Sequence, residues 1–208
     1  MPKLTLTVNV NGMGGSIVQS VPRTCDGGSS LEVTLPAGKT GQLTTRTSGT
    51  AGTLTMTGGH GITTGAKIDI YWASGIAYSA TVGTVSTNSV PFTLASGDAL
   101  PTNLTAIVAC VQVPINVAID GDNVALLAIM QKYTSQSETA HSHIQFLDVT
   151  PTEVAELDLL ANTPQVFDIA GGSDNPVTGN PITSAVASNG SVTNAATLQI
   201  YFVQDTTP

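Results

Sequence analysis

The chain has 208 residues and a formal net charge of −8, and only 10% of its residues are charged, against about 25% in an average soluble domain. An acidic chain with so few basic side chains is not expected to bind nucleic acid through phosphate contacts. No apolar run approaches the roughly 20 residues that a membrane-spanning helix needs, so no membrane insertion is expected. The length is sufficient for one large or two small domains.

Residues 1–42 show the period-two alternation that is typical of half-buried β-strands. In KLTLTVNV the apolar and polar positions alternate, and SLEVTL repeats the pattern further along. We expect these strands to belong to the body of the fold, with the first strand paired to the closing strand of the chain. The N-terminus lacks the apolar segment of a secretory signal, so synthesis in the cytoplasm is expected.

Residues 43–114 indicate a small barrel-like module. Short alternating segments separated by Gly, Asn and Asp turns predict five strands, at residues 52–57, 67–72, 79–85, 89–94 and 105–113. No helical period competes with the alternation in this stretch. We therefore expect the module to be inserted into a larger body that is built from both ends of the chain.

The stretch GTLTMTGGHGITTGAKIDIYW places His60 among glycines, next to a lysine and an aspartate. A phosphate-binding loop leads from a strand into a helix, and its lysine directly follows the last glycine. Here a strand follows, and Ala66 stands between Gly65 and Lys67. The pattern predicts a β-hairpin with His60 in its turn.

Residues 115–208 are predicted to be rich in β-strands and to pack with residues 1–42. Apolar segments flank DGDN at 120–123, which predicts a hairpin turn, since a calcium loop would require a bidentate Glu at a spacing that is absent. Residues 125–132 fit a strand, with a helix as the alternative because Ala, Leu, Met and Gln favour helices. ATLQIYFVQD predicts the closing strand.

One short helix is predicted at residues 151–161. Thr150 is a candidate N-cap, Pro151 occupies the first helical position, and Glu153 completes a capping box. Val154, Leu157 and Leu160 would form its apolar face. The predicted fold class is therefore all-β: a β-sandwich or jelly-roll-like body with a small inserted β-barrel-like module and one short helix.

His141 and His143 are the candidate metal ligands. Residues two apart on a strand lie on the same face, so the two imidazoles could bind one ion. A three-fold axis would bring six such nitrogens together, an octahedral set suited to a first-row transition metal. His-x-His sites of this kind resemble those of some trimeric phage spikes and fibres. Exposed polar residues on a strand are the alternative, and no other cofactor is predicted.

Aromatic residues are scarce, and the hairpin carries three of them. Tyr71, Trp72 and Tyr78 could form a small patch that contacts a partner. The two cysteines, Cys25 and Cys110, allow either one disulfide or two buried free thiols. No pattern of nucleophile and base indicates a catalytic residue, because three histidines offer few general bases and no Gly-x-Ser-x-Gly elbow is present.

Residues 52–101, with their spaced glycines, single Trp and GDALP turn, resemble a segment of poorly characterised structural proteins of tailed bacteriophages. The resemblance implies a virion component of the decoration, cement or fibre type, and it implies no catalytic residues. The expected partners are then a major capsid protein or other virion proteins, and copies of the same chain in a homo-oligomer such as a trimer. The expected location is the virion.

Two other functions remain open. A module that binds host-surface glycans, or a fibre or adhesion module, would suit the loops rich in Thr, Ser and Asn, although few aromatic residues are available for stacking. A small hydrolase would need activity that depends on His60, His141 or His143. The sequence favours a non-enzymatic virion protein, in particular a capsid decoration protein.

Overall fold

A computed structural model describes residues 3–12, 15–24, 27–95, 100–119, 124–150, 153–168 and 182–204. None of these residues lies in a helix, and so none contributes to a helix able to cross a membrane. The described strands, in chain order, are β1 (Lys3–Gly12), β2 (Gly15–Thr24), β3 (Gly27–Leu35), β4 (Lys39–Arg46), β5 (Ala51–Met56), β6 (Lys67–Trp72), β7 (Gly75–Val82), β8 (Ser89–Thr93), β9 (Thr105–Val111), β10 (Val113–Ile119), β11 (Val124–Tyr133), β12 (Ser142–Leu147), β13 (Glu153–Leu159), β14 (Pro164–Asp168), β15 (Ile182–Asn189) and β16 (Ala196–Gln204). The predicted all-β class is confirmed.

Two four-stranded sheets form a sandwich around one apolar core. Their strand orders are β10-β15-β12-β13 and β14-β11-β16-β3. Strand β16 shows how the sequence builds this core, since Leu198, Ile200 and Phe202 belong to the core while Tyr201, between the last two, is exposed. Ile144 and Phe146 enter the same core from the opposite sheet.

Strands β4 to β9 close into a six-stranded barrel in the order β4-β5-β8-β7-β6-β9. Its interior is filled by apolar side chains, among them Leu43, Leu54, Ile68, Val90 and Phe92. Five of these strands correspond to the segments predicted from alternation. The sixth, β4, pairs with both β5 and β9 and thereby closes the barrel.

The closing strand β16 pairs with β3 and β11. The expected pairing between the first and last strands is therefore wrong, because β1 pairs with β2 in a separate two-stranded sheet. The alternation in β1 identified a strand correctly but carried no information about its partner, since many strands offer an equivalent period-two face.

The two predicted hairpins are also wrong. β5 and β6, which flank His60, are separated in the barrel by β8 and β7, so the loop between them connects non-neighbouring strands. β10 and β11 lie in different sheets of the sandwich, and residues 120–123 between them fall outside the described residues. The glycines around His60 do provide the expected turn, as Gly59 and Gly61 have φ of 75° and 71°.

The helix predicted at 151–161 is wrong, because Glu153–Leu159 form a strand, β13, while residues 151–152, with the predicted first helical position Pro151, lie outside the described residues. Its register pairs Leu157 with Ile144 and Leu159 with Ser142 of β12. Ala155, Leu157 and Leu159, at spacings of two, contact the sandwich core, and this period overrides the weaker helical spacing of Val154, Leu157 and Leu160. Thr150, the predicted N-cap, precedes a segment whose described residues form a strand, and its backbone N–H and hydroxyl both donate to Asp148 Oδ1. Residues 125–132 lie in β11, as the strand alternative predicted.

Candidate functional site

The barrel packs against the outer face of sheet β10-β15-β12-β13 through a polar contact. β12 is buried on both faces. Ile144 and Phe146 enter the sandwich core, whereas His143 and Gln145, at alternate positions, meet barrel residues. The cluster that joins the two units, which we call the polar seam, consists of Asp69, Ser79, Gln112, His143, Gln145, Glu156 and Ser188.

Asp69 is the centre of the polar seam. Ile68 and Ile70 point into the barrel core, so alternation places Asp69 on the outside of the barrel, where the sandwich buries it completely. Its Oδ1 accepts hydrogen bonds from Ser79 N–H at 2.9 Å and from Gln112 Nε2 at 2.8 Å. Its Oδ2 accepts one from Ser188 Oγ at 2.5 Å. These donors compensate the loss of water around a buried carboxylate.

His143 lies between two carboxylates that come from different parts of the fold. Its Nδ1 is 3.4 Å from Asp69 Oδ2 of the barrel, and its Nε2 is 2.9 Å from Glu156 Oε1 of β13. The second contact is an ion-pair distance whose angle lies outside hydrogen-bond geometry. The ring of Tyr78 stacks on the imidazole, with centroids 3.9 Å apart and planes 21° apart. His143 is only 1% exposed.

The charge state of His143 follows from these neighbours. Burial alone lowers the pKa of an imidazole, because it disfavours the charged form. Here the hydrogen bond and charge of Asp69, together with the charge and contact of Glu156, outweigh burial and raise the pKa of His143 above 6.5. Burial and the adjacent Glu156 also raise the pKa of Glu153.

A chain of amide and hydroxyl groups extends the polar seam toward solvent. Gln112 Nε2 donates to Ser79 Oγ, and Ser79 Oγ donates to Gln145 Oε1, both at 3.0 Å. Gln145 Nε2 in turn donates to Glu153 Oε2 at 3.0 Å. Ser79 adopts a φ of 54°, a left-handed conformation uncommon for serine. Its backbone is held there by the bond to Asp69.

An open groove of about 570 Å³ runs along this chain of side chains. Polar residues from both units form its walls, among them Lys67, Tyr78, Gln145, Glu153 and Glu156. The groove gives solvent access to Glu156, while Asp69 and His143 stay behind it. The accessible part of the site is therefore acidic and amide-rich.

The structure separates the two predicted metal ligands into different environments. His143 belongs to β12 and is buried in the polar seam, whereas His141 precedes β12 and is exposed. Within the described residues, no group of three or more His, Cys, Asp or Glu side chains is placed to hold a metal ion. A metal site assembled from several copies of the chain remains a prediction.

The three predicted interface aromatics are all half-buried. Tyr78 stacks on His143, and Tyr71 has its hydroxyl 3.3 Å from Ser188 Oγ, so both serve the contact between barrel and sandwich. Trp72 packs against the barrel core. Tyr71 and Trp72 also line a second, mostly apolar groove of about 420 Å³, together with His141. Their predicted contact with a partner stays a prediction.

His60 has a structural role in its loop. The ring is 8% exposed, its Nδ1 accepts a hydrogen bond from Ile62 N–H at 3.0 Å, and its Nε2 lies 2.9 Å from the carbonyl of Thr87. Cys110 is a buried free thiol, and burial raises its pKa. Cys25 lies outside the described residues.

A second polar network lies at one end of the sandwich. Tyr133 Oη donates to Asn189 Oδ1 at 2.6 Å and receives a hydrogen bond from Gln131 Nε2. Burial raises the pKa of Tyr133 to about 12. Nearby, Glu138 Oε2 accepts hydrogen bonds from Ser191 Oγ and Asn194 Nδ2, which helps to hold the adjoining loop.

Asp69, Ser188 and Glu156 were not predicted from the sequence to be members of one site. One sequence feature could have indicated this site: Asp69 in KIDIYW, a carboxylate between two isoleucines on an alternating strand. Such a residue must face away from the barrel core, and it needs donors if that outer face is covered. Nothing local indicated that Ser188 would supply one of them.

The chemistry of the polar seam is that of a buried ion pair. A nucleophilic serine donates its hydrogen bond to an imidazole base, whereas Ser188 donates to Asp69. The described contacts of His143 run to two carboxylates and one aromatic ring. Asp69, His143 and Ser188 are each at most 1% exposed, so the accessible groove reaches none of the three directly.

No protein-family model and no curated protein matches the sequence. Among solved structures, the chain has a likeness to the crystal structure of the STIV MCP, a major capsid protein, at a TM-score of 0.27 and 6% sequence identity. The alignment covers 98% of this chain and 95% of that chain. At this TM-score the likeness does not establish a common fold.

Proposed function

We propose that the protein is a non-enzymatic structural component of a virion, and specifically a decoration or cement protein that stabilises a capsid shell. One observation carries the non-enzymatic part. Asp69, His143 and Ser188, the described acid, imidazole and hydroxyl that lie together, are at most 1% exposed and hold the barrel against the sandwich. The phage-like segment at residues 52–101 supports the virion part.

The open edges of the sandwich are the proposed contact surface. β13 is one terminal strand of its sheet and β14 is one terminal strand of the other, and within the described part of the chain no strand pairs with the outer edge of either. Leu160, directly after β13, and Val166, in β14, are 46% and 41% exposed. Exposed strand edges and apolar side chains are stabilised when a partner covers them. We call this surface the β13/β14 edge.

The proposal is tested by co-sedimentation of the purified protein with particles of the virus that encodes it, prepared without this protein. We expect saturable binding, with the protein also present in native particles by mass spectrometry. A Leu160→Lys/Val166→Lys double variant should bind at least tenfold more weakly, because a lysine at each position leaves a charge in a desolvated contact. Leu104→Lys is the matched control, since Leu104 is 67% exposed on a barrel loop.

Absence of the protein from native particles, together with no binding to depleted ones, would refute the proposed function. Equal loss of binding in the control variant would instead refute the β13/β14 edge as the contact. Light scattering of the purified chain, with and without a chelator, tests self-association. A trimer that dissociates with chelator would support the His141/His143 metal site, and a monomer in both conditions would exclude a trimer that forms without the capsid.

The second groove, lined by Tyr71, Trp72 and His141, supports an alternative function, that of a glycan-binding module. Tyr71, Trp72 and Ile76 provide apolar surface there, and His141 and Ser74 provide polar groups at the rim. Sugar rings bind to this combination of aromatic faces and hydrogen-bonding groups. A glycan array probed with the folded protein tests it: hits that weaken in His141→Ala support the alternative, and an array without hits excludes it.

A further inference from the structure

The first two strands form a sheet of their own. β1 and β2 pair with each other from Lys3↔Thr24 to Gly12↔Gly15, and within the described residues neither pairs with a third strand. A two-stranded hairpin alone is at best marginally stable in water, because it lacks a further layer on which to bury an apolar face. The β1–β2 hairpin is therefore expected to be completed by another surface.

The register divides the β1–β2 hairpin into an apolar and a polar face. Alternate positions share a face, and directly opposed register partners lie on the same face. One face thus carries six aliphatic residues, while Thr, Ser and Asn predominate on the other; the six are Leu4, Leu6, Val8, Val10, Ile17 and Val21. Residues 3–24 include Lys3 and Arg23 but no acidic residue. The hairpin is therefore a cationic, amphipathic element of an acidic chain.

β1 offers the better of the two outer edges for pairing with another strand. β2 contains Pro22, which has no N–H to donate to a sheet, whereas Lys3–Gly12 contains no proline. An unpaired strand edge presents a row of N–H and C=O groups that can add to the edge of another sheet. The edge of β1 therefore requires an acceptor edge of matching charge.

β13 is the sandwich edge that matches this charge. The terminal strands of the two sheets are β10, β13, β14 and β3. β13 carries three exposed acidic residues, Glu153, Glu156 and Asp158, whereas β14 and β3 carry one each and β10 carries none. Opposite charges on neighbouring strands stabilise a sheet. A cationic strand is therefore accommodated best beside β13.

The hairpin cannot lie along β13 of its own chain. β2 ends at Thr24 and β3 begins at Gly27, and three residue steps span at most about 11 Å. β13 lies against β11, which β16 separates from β3. A strand added outside β13 would therefore lie three strand spacings, about 14 Å, to the side of β3 and one sheet spacing, about 10 Å, across the sandwich. The strand that pairs with β13 must then come from a second copy.

We propose that β1 of one copy adds as a fifth strand to the sheet β10-β15-β12-β13 of a neighbouring copy, alongside β13. The hairpin leaves the sandwich at β3, on the side opposite β13, so the contact is head-to-tail and either closes into a ring or continues as a chain of copies. This inference rests on the proposed function, because it names a second copy of the chain as the partner of the β13 part of the β13/β14 edge.

Light scattering of the full chain over a range of concentrations tests the self-association. We expect a mass above that of one chain, falling at high salt because the attraction between the charges is screened. Lys3→Glu/Arg23→Glu should associate only at a concentration at least tenfold higher, because like charges then meet at the contact. Lys39→Glu/Lys132→Glu is the matched control, since it changes the net charge equally at exposed positions of β4 and β11.

Three outcomes of this measurement would refute the proposal. They are a wild type with the mass of one chain at every concentration, unchanged association of Lys3→Glu/Arg23→Glu, and an equal loss of association in the control. The first two substitutions lie outside the sandwich and the barrel, so this comparison does not depend on a variant of the body that folds.

A mixing experiment tests which edge accepts β1. Glu153→Lys/Asp158→Lys alone should also lose association. An equimolar mixture with Lys3→Glu/Arg23→Glu should associate again, because every contact between unlike copies then pairs opposite charges. A mixture that keeps the mass of one chain, although thermal unfolding shows both variants to be folded, would refute the pairing of β1 with β13.

The same samples separate this inference from the proposed function, since self-association is measured without virus particles. A monomeric wild type that still binds depleted particles would refute the contact between copies and leave the proposed function standing. A protein that associates with itself through β1 but neither binds particles nor occurs in them would refute the proposed function alone.

Discussion

Ser188 Oγ donates a 2.5 Å hydrogen bond to Asp69 Oδ2, although the two residues lie 119 positions apart in the chain. The contact links β15 of the sandwich to β6 of the barrel. Both residues are fully buried, so neither can exchange this partner for water. The placement of the barrel on the sandwich therefore depends on a polar contact whose loss leaves a buried charge without a donor.

Asp69→Asn should destabilise the protein by about 3–5 kcal/mol, because the amide replaces a charged acceptor that serves four donors. The NH2 group of the new amide side chain at this position would also replace one acceptor oxygen with a donor. That donor would face either the donors Ser79 N–H and Gln112 Nε2, or the contacts to Ser188 and His143. Urea denaturation at pH 6 measures the change in the free energy of unfolding. A loss below about 1 kcal/mol would show that the polar seam contributes little to stability.

A double-mutant cycle with Ser188→Ala separates the direct contact from the rest of the polar seam. We expect a coupling energy between Asp69 and Ser188 of about 0.5–3 kcal/mol, since the two side chains share one hydrogen bond. Additive effects of the two substitutions would mean that the short contact carries no stabilisation of its own.

Acid should weaken the loop that Glu138 organises. Hydrogen bonds from Asn194 and Ser191, and from the backbone of Ala140 and Thr139, lower the pKa of Glu138 to about 2. A carboxylate with a lowered folded-state pKa stabilises the fold above its unfolded pKa of 4.5, and this stabilisation is lost as the pH falls toward 2. In Glu138→Gln, stability should therefore fall less between pH 4.5 and pH 2 than it does in the wild type.

Thermal unfolding followed from pH 5 to pH 2 measures this effect. Glu32→Gln is the matched control, since Glu32 is an exposed carboxylate whose described side-chain hydrogen bond comes from Gln199 alone. If the unfolding temperature falls equally steeply with pH in the wild type and in Glu138→Gln, Glu138 does not contribute the proposed acid-sensitive stabilisation.

Gly52→Ala should destabilise the barrel by about 1–3 kcal/mol. A Cβ at this position would lie 2.7 Å from the backbone oxygen of Thr45 and 3.0 Å from a methyl group of Leu43. Backbone cannot give way as a flexible side chain does, so the paired strands β4 and β5 would have to separate. Thermal unfolding measures the change, with Gly49→Ala as control because nothing lies within 4 Å of its Cβ position. Equal stability of the two variants would show that the barrel can relax at Gly52.

Local alternation was sufficient to find most strands. It predicted residues 67–72, which are β6, and residues 52–57 and 89–94, which match β5 and β8 to within a residue or two. This works because strand period is a property of neighbouring residues. The helix prediction at 151–161 failed for the same reason: a capping pattern is local, whereas β13 forms because β12 offers it a sheet edge and a core to cover.

The sequence by itself determined an all-β protein with few charged residues, most of its strand positions, and a histidine in a glycine-rich loop. Only the tertiary structure decided which strands pair, and that Asp69, His143, Glu156 and Ser188 meet. Pairing between distant strands depends on burial across the whole chain, since every alternating strand presents a similar face and similar backbone groups. A buried charge likewise acquires its role only when the fold brings its donors to it, as the sandwich brings Ser188 and His143 to Asp69.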